Sequence, residues 1–311
     1  MATDPRAGGD EADRRFMAAA IRLSRRNLGL TATNPSVATL IVRDGVIVGR
    51  GVTAIGGRPH AEPQALAEAG ELAAGATAYV TLEPCAHHGR TPPCAEALVA
   101  AGVARVVGAA SDPDPRVSGR GYAILRRAGI AVVENVLADE AGDQLAGYLT
   151  RSRLKRPEVT LKLAVSSDGM IGRRGAGQVA ITGPISRRQV HAMRAEASAI
   201  LVGIGTALAD DPELTCRLPG LEARSPARIV LDAGLRLPPS SKLAATAREV
   251  PVLLASSIEA DAARQLVDAD RRRRLGDAAQ DVAEMPDRPD RTRAPGCRAL
   301  LAQRRFLHRS C

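Results

Sequence analysis

The chain has 311 residues, which is enough to bury a sizeable core and, by usual domain sizes, enough for two domains. Hydrophobic residues make up 45% of it but aromatic residues only 2%, so the core has to be built from Ala, Val, Leu and Ile. Five cysteines in so long a chain argue against a disulfide framework and favour free thiols in a reducing cytoplasm. Because the N-terminal region is polar and no stretch approaches ~18 continuous apolar residues, we expect a cytoplasmic protein without a signal peptide or membrane span.

The net charge of +9 is concentrated at one end of the chain. From Arg271 to Cys311 there are eleven arginines, no lysine and five acidic residues. Such a run is more typical of a solvated segment than of a binding patch, and we expect no nucleic-acid partner. Binding of nucleic acid through this basic tail is the alternative, and its sign would be steeply salt-dependent RNA binding that deletion of 271–311 removes.

Helical and strand patterns alternate through the first half of the chain. Residues 11–29 show helical spacing of apolar residues, and 38–51 reads as a β-hairpin that turns at Asp44-Gly45. The pattern continues with helices at 61–73, 93–101 and 119–128 and strands at 77–82, 104–110 and 130–133. This alternation predicts an α/β layered domain with a largely parallel sheet.

A basic, proline-containing connector at 148–159 predicts a domain boundary near residue 153. After it, the strand patterns "VTLKLAVS", "AILVG" and "ARIVLDAG" and the helical pattern "SRRQVHAMRAEA" predict a second α/β unit. Beyond about residue 265 the apolar periodicity fades. We therefore divide the chain into a first domain at 1–152, a second at 153–265, and an atypical Arg-rich tail at 266–311.

Metal-ligating residues cluster in the first domain. His60 and Glu62 form an H-x-E pattern at the start of a predicted helix, and Cys85 and Cys94 follow a predicted strand. One His and two Cys give Zn²⁺ three protein ligands and leave the fourth tetrahedral position for water, as in catalytic zinc sites. Glu62 lies two residues from the His ligand, where it can take a proton from that water. The pattern is typical of the zinc-dependent nucleobase deaminases.

Other interpretations of these residues stay open at this stage. His87 or His88 could close the zinc sphere as a fourth ligand in a structural site, or the two cysteines could be buried hydrophobes without a metal. The joint occurrence of H-A-E and P-C-x8-C favours catalytic zinc. Because the general deaminase signature has two residues between its cysteines and this chain has eight, the substrate is open too. A nucleoside, free-base or tRNA deaminase is therefore a further alternative.

Four segments carry a resemblance to a known family: "TNPSV", "PHAE", "GATAYVTLEPCAHHGRTPPC" and "DPDPRVSGRG". They closely resemble the bifunctional deaminase/reductase of riboflavin biosynthesis, and the resemblance covers about residues 13–250. It implies a cytidine-deaminase-like first domain with α/β/α layers. That domain would hydrolyse 2,5-diamino-6-(5-phosphoribosylamino)pyrimidin-4-one to 5-amino-6-(5-phosphoribosylamino)uracil, releasing ammonia.

The resemblance also implies roles for individual residues of the first domain. One Zn²⁺ per chain would be held by His60, Cys85 and Cys94, with Glu62 as the proton donor. Asn34 would contact the substrate. We further expect His87 and His88 to line the substrate pocket and not to close the zinc sphere. The chain departs from the family pattern just after Asn34, with Ala38-Thr39 where Gly-Cys is usual, which affects the pocket shape and not the chemistry.

In the second domain, "LKLAVSSDGMI", "ITGPISRRQVHAM" and "ARIVLD" resemble the reductase of the same family. This implies a dihydrofolate-reductase-like fold that uses NADPH to reduce the ribosyl group to ribityl. The implied NADPH contacts are Ala164, Ala180, Thr206 and Asp210. The implied substrate contacts are Lys162, Gln178, Arg194, Leu214 and Arg217, with the two arginines at the 5′-phosphate.

The second domain departs from the family more than the first. Gln178 and Ala180 stand where Ser and Trp are usual, and no Glu-Gly-Gly loop follows a late strand. We therefore expect the reductase domain to be incomplete and its reduction step to be weak or absent. The partner we expect is the small phosphoribosyl pyrimidine, and a homo-oligomer is compatible with the sequence.

Overall fold

The computed structural model describes residues 11–89, 91–173 and 179–257. The chain divides into two compact units between Val159 and Thr160. In these three ranges no helix combines the length and hydropathy needed to cross a bilayer. The predicted tail at 266–311 lies outside the described residues.

The first unit alternates helices and strands as the sequence predicts. Its strands are β1 (Ala38–Arg43), β2 (Val46–Val52), β3 (Thr77–Leu82), β4 (Arg105–Ala110) and β5 (Ala131–Val133). Its α-helices are α1 (Glu11–Ser24), α2 (Ala61–Ala69), α3 (Cys94–Ala100), α4 (Arg120–Arg127), α5 (Ala138–Gln144) and α6 (Ala146–Leu154). The helix α6 occupies part of the stretch that the sequence indicates as a connector.

The five strands form one sheet in the order β2-β1-β3-β4-β5. The β1 strand is antiparallel to β2 and β3, whereas β3, β4 and β5 are parallel to one another. The predicted hairpin turn at Asp44-Gly45 is confirmed, with positive φ at both residues. Because β3 and β4 run parallel, with Leu82 paired to Ala110, the segments that follow these two strands emerge at the same sheet edge.

Small residues let the helices approach the sheet closely. Gly51 faces α2 so closely that a Cβ built on it would lie 1.9 Å from the carbonyl oxygen of Ala61. A Cβ on Gly49 would lie 2.2 Å from the carbonyl oxygen of Ala65. Since the N-terminal end of α2 carries His60 and Glu62, the two glycines of β2 set how far these side chains stand from the rest of the sheet.

A buried charge cluster fixes α1 to the sheet. Asp13 is 1% exposed, and it accepts hydrogen bonds from the Tyr79 hydroxyl at 2.9 Å and from Arg105 Nη1 at 2.7 Å. The guanidinium and phenol satisfy a carboxylate that burial alone would destabilise. The cluster thereby joins the first helix to β3 and β4.

The second unit is smaller and has a parallel three-stranded sheet. Its helices are α7 (Pro184–Glu196), α8 (Ile204–Asp210) and α9 (Lys242–Ala245). Its strands are β6 (Ala199–Gly203), β7 (Ala227–Leu231) and β8 (Val252–Ala255), in the order β6-β7-β8.

The strand predicted for "VTLKLAVS" is wrong, because residues 159–166 are not part of a strand. Leu161 and Leu163 alternate as in a strand, but both are exposed and none of the described strands pairs with this segment. Alternation is a pattern of side chains, and a strand also needs a hydrogen-bonded neighbour.

Candidate active site

Three predicted metal ligands converge at one sheet edge of the first unit. His60 occupies the position just before the first residue of α2, Cys94 is the first residue of α3, and Cys85 lies in the loop after β3. The Nδ1 atom of His60 is 3.4 Å from Cys94 Sγ and 3.8 Å from Cys85 Sγ. Donor atoms of all three residues lie within 4.8 Å of one another.

These distances fit a tetrahedral zinc ion. With Zn–S near 2.3 Å and Zn–N near 2.0 Å, a nitrogen and a sulfur on the same tetrahedral ion stand about 3.6 Å apart. The two observed N···S distances, 3.4 and 3.8 Å, lie on either side of this value. A His/Cys/Cys set also leaves one tetrahedral position for a non-protein ligand, which a closed structural site does not.

The two thiols differ in their electrostatics. The side-chain hydrogen bond with Cys94 is the main cause that lowers the pKa of Cys85 to about 4, with His60 contributing in the same direction. The same hydrogen bond and burial raise the pKa of Cys94. Coordination to a divalent cation deprotonates a thiol, so bound zinc would lower the pKa of Cys94. The thiolate of Cys85 is thus already favoured by its neighbours.

Glu62 lies beside this group, in the first turn of α2, with only 4% of its surface exposed. Burial is the main cause that raises its pKa, and the charge of Cys85 adds to it. The neighbouring His60 and Cys94 side chains act in the opposite direction and lower the pKa of Glu62. A carboxyl group with a raised pKa, held at a metal-binding cluster, is suited to accept a proton and to release it again.

The loop that carries Cys85 is held by a residue that the sequence reasoning missed. Glu83 is 3% exposed and accepts hydrogen bonds from the backbone N–H groups of Gly119 and Gly121, both at 3.1 Å. A Cβ on Gly121 would lie 2.0 Å from the carbonyl oxygen of Pro84. The start of α4 therefore packs directly against the chain one residue before Cys85. The sequence signal for this role is the position of Glu83, an acidic residue directly after the apolar strand β3.

Side chains predicted to contact the substrate lie in two loops. Asn34 is half-buried and donates from Nδ2 to the carbonyl oxygen of Gly57 at 3.0 Å. The Nδ1 atom of His87 is buried and has no hydrogen-bond partner in the described part of the chain. His88 is exposed, with Nε2 3.4 Å from Glu96 Oε2. The Nδ1 of His87 is thus available to a ligand, while His88 points to solvent.

In the second unit, the structure brings the predicted phosphate-binding residues together. Arg194 donates from Nη1 to the carbonyl oxygen of Thr215 at 2.9 Å, and its Nε is buried without a partner among the described residues. Arg217 follows Leu214 closely in sequence, and its backbone N–H donates to His191 Nδ1 at 3.1 Å. His191 and Arg194 both lie on α7. The sequence reasoning did not consider His191.

The predicted cofactor contacts are more scattered over the second unit. Thr206 and Asp210 lie on α8, whereas Ala164 is half-buried and Ala180 exposed in segments without regular structure. Lys162 is exposed, and Gln178 lies outside the described residues.

Comparison with known proteins identifies two family regions. The cytidine and deoxycytidylate deaminase zinc-binding region matches residues 10–110, and the RibD C-terminal domain matches residues 157–280. The riboflavin biosynthesis protein RibD of Aquifex aeolicus is 43% identical over 256 residues, which cover 82% of this chain and 71% of that protein. The chain belongs to the RibD family. The Escherichia coli K12 RibD is 46% identical over 242 residues, 74% of this chain and 66% of that protein.

Solved RibD structures share the fold. An Acinetobacter baumannii RibD has a TM-score of 0.73 at 41% identity, covering 81% of this chain and 72% of that one. The diaminohydroxyphosphoribosylaminopyrimidine deaminase/5-amino-6-(5-phosphoribosylamino)uracil reductase of Thermotoga maritima has a TM-score of 0.74 at 38% identity, covering 80% and 71%. The chain thus spans about two thirds of the length of its RibD relatives. These matches confirm the predicted fold class, a cytidine-deaminase-like domain followed by a dihydrofolate-reductase-like domain.

Proposed function

We propose that the first unit catalyses the zinc-dependent hydrolytic deamination step of riboflavin biosynthesis. The substrate is 2,5-diamino-6-(5-phosphoribosylamino)pyrimidin-4-one and the product is 5-amino-6-(5-phosphoribosylamino)uracil. The observation that carries this proposal is the convergence of His60, Cys85 and Cys94 with a buried Glu62 beside them. Membership of the RibD family supports the choice of substrate over a nucleoside or tRNA.

The chemistry is a substitution at C2 of the pyrimidine. Zinc, when held by the three ligands, acts as a Lewis acid that lowers the pKa of water toward ~7. Water adds at C2 as its C–O bond forms, and the C2–N bond breaks to release ammonia. Glu62 takes a proton from the attacking water and delivers one to the departing nitrogen. The protonation state of its carboxyl group is therefore the same before and after the reaction. Burial of Glu62 keeps bulk water from competing for this proton.

Recognition of the pyrimidine falls to the loops around the metal group. Asn34 offers an amide whose Nδ2 is already engaged with Gly57, which leaves its carbonyl oxygen for a substrate N–H group. The buried Nδ1 of His87 lacks a partner among the described residues, and a bound substrate would supply one. A buried polar atom without a partner is costly, which supports a ligand-binding role for this side chain.

For the second unit we propose NADPH-dependent reduction of the ribosyl group to ribityl. The match to the RibD C-terminal domain over residues 157–280 supports it. Arg194 and Arg217 would bind the 5′-phosphate, since guanidinium groups pair with phosphate through parallel hydrogen bonds. Proposed contacts to the remainder of the substrate are Lys162, Gln178 and Leu214, and those to NADPH are Ala164, Ala180, Thr206 and Asp210.

One assay tests both activities. The full chain, loaded with zinc, is given the diaminopyrimidine with and without NADPH, and ammonia, NADPH and both pyrimidine products are followed. Ammonia release in both conditions supports the deaminase proposal, and preferential turnover of cytidine or tRNA adenosine contradicts it. Stoichiometric NADPH oxidation with formation of the ribityl product supports the reductase proposal. Accumulation of the uracil product in the presence of excess NADPH contradicts it.

We also propose that the protein acts in the cytoplasm. The three described cysteines, Cys85, Cys94 and Cys216, are all free thiols, which suits a reducing compartment.

A further inference from the structure

The helix α6 is tied to two loops that border the candidate active site. The hydroxyl of Tyr148 donates to Asp112 Oδ1 at 2.8 Å. One turn further on, Arg151 Nη2 donates to the carbonyl oxygen of Thr33 at 2.8 Å. Thr33 immediately precedes Asn34 in the loop before β1. A single helix therefore holds both the loop after β4 and the loop that carries Asn34.

Asp112 occupies the position after β4 that corresponds to the start of the Cys85 loop after β3. It lies two residues after β4, just as Pro84 lies two residues after β3, and the last residues of these strands, Leu82 and Ala110, are paired. Asp112 is 6% exposed. The carboxylate is therefore a buried acidic group at the sheet edge where the loop with Cys85 begins, and the deamination steps above do not use it.

The two oxygens of Asp112 differ in their partners. Oδ1 accepts the backbone N–H of Asp114 at 2.9 Å, which closes a local turn, and it also accepts the Tyr148 hydroxyl. Both of these hydrogen bonds go to Oδ1, and Oδ2 accepts none from the part of the chain that the structure describes. The turn is already closed by the backbone of Asp114, so Tyr148 is not needed for it. What Tyr148 adds is a second anchor that fixes the rotation of the carboxylate.

The direction of the hydrogen bond between Tyr148 and Asp112 follows from the chemistry of the two groups. Because a carboxylate can only accept, the phenol donates its single proton to Asp112 Oδ1. The hydrogen bond is therefore directed from α6 toward the loop after β4.

We propose that Tyr148 is a positioning residue of the deaminase, which aims Asp112 Oδ2 at an N–H or O–H group of the bound substrate. This inference rests on the proposed function. The diaminopyrimidine carries such donors on its exocyclic amino groups and on its ribose hydroxyls. A carboxylate held by two donors on one oxygen presents the other oxygen in a defined direction, which favours a matching donor without a cost in side-chain entropy at binding.

The test compares Tyr148→Phe with a matched control, Tyr122→Phe. Both variants lose one phenolic hydroxyl, but the hydroxyl of Tyr122 is buried in α4 and has no hydrogen-bond partner among the described residues. Ammonia release from the diaminopyrimidine gives kcat and KM, with zinc content and Tm measured on the same samples. We expect Tyr148→Phe to raise KM roughly fivefold to twentyfold, with kcat within about twofold and zinc retained. Tyr122→Phe should leave KM unchanged.

A double-mutant cycle with Asp112→Asn completes the test. If Tyr148 acts through Asp112, Asp112→Asn raises KM at least as much as Tyr148→Phe, and adding Tyr148→Phe to it has no further effect. An unchanged KM in Tyr148→Phe, a loss confined to kcat and Tm, or fully additive effects would overturn the positioning role. No ammonia from the wild-type protein would overturn the proposed function itself, and the positioning role with it.

Discussion

Replacement of Gly51 by Ala should disable the metal site by displacing α2. Gly51 belongs to β2 and is neither a proposed metal ligand nor the proposed proton-transfer residue. Its hydrogen faces the backbone of α2, where a Cβ would lie 1.9 Å from the carbonyl oxygen of Ala61 and 2.8 Å from the backbone nitrogen of Ala65. Backbone atoms of a helix cannot rotate away as a side chain can, so the helix has to move.

The size of this movement follows from the contact distance. Ordinary contacts of a Cβ begin at 3.4 Å, so α2 must withdraw by roughly 1.5 Å at its N-terminal end, where His60 and Glu62 lie. Zinc–ligand distances tolerate only about 0.2 Å. A misplacement of about 1 Å costs on the order of 100-fold in rate, and overpacking costs about 1–3 kcal/mol of unfolding free energy. We therefore expect weaker zinc binding and at least a 100-fold lower kcat/KM for deamination.

The assay combines zinc content after dialysis, Tm and ammonia release. The matched control is Gly142→Ala in α5, where a Cβ would meet only Leu149 Cδ1 at 4.0 Å. The control should be stabilised by about 0.4–1 kcal/mol and keep its zinc. A Gly51→Ala protein with full zinc and wild-type turnover would refute the reasoning that β2 sets the position of His60.

Three further substitutions test separate parts of the account. Cys94→Ser should abolish zinc binding, measured by metal analysis, and stoichiometric zinc in this variant would contradict the ligand set. Asp13→Asn should lower the free energy of unfolding by about 3 kcal/mol, measured by urea denaturation, because it leaves Arg105 without its carboxylate. An effect below about 1 kcal/mol would show that the cluster contributes little. His87→Ala should keep zinc and raise KM for the diaminopyrimidine, whereas loss of zinc would indicate a fourth protein ligand.

Much of the metal site could be predicted because its information is local. His60 and Glu62 are two residues apart, and Cys85 and Cys94 follow one strand, so short segments carry both the ligand types and their spacing. The alternation of helix and strand likewise follows from periodicity within each segment. Parallel pairing of β3 with β4 then follows from the helix between them.

The residues that hold the site in place could not be predicted in the same way. Glu83 meets Gly119 and Gly121, and Asp112 meets Tyr148, across separations of some 36 residues that no local pattern reports. Tyr148 also lies in a stretch whose basic residues and proline indicate a connector, although its first part is helical. The close approach of Gly51 to α2 similarly depends on which strand the helix packs against.

The segment at 159–166 shows the opposite case, in which a clear local pattern did not give the predicted element. Its alternation is that of a strand, but no described strand of the second unit pairs with it. Local propensity decides which elements are possible, and hydrogen-bonded pairing decides which of them form.

Glu62→Gln tests the central claim most directly, because it separates the proton-transfer role from metal binding. The variant keeps the size of the side chain but cannot exchange protons as the carboxyl does. We predict one zinc per chain, as in the wild type, and no detectable ammonia from the diaminopyrimidine. Glu68→Gln is the control, since this exposed residue of the same helix contacts Arg50 and should turn over normally. Near-normal ammonia release by Glu62→Gln would contradict the account.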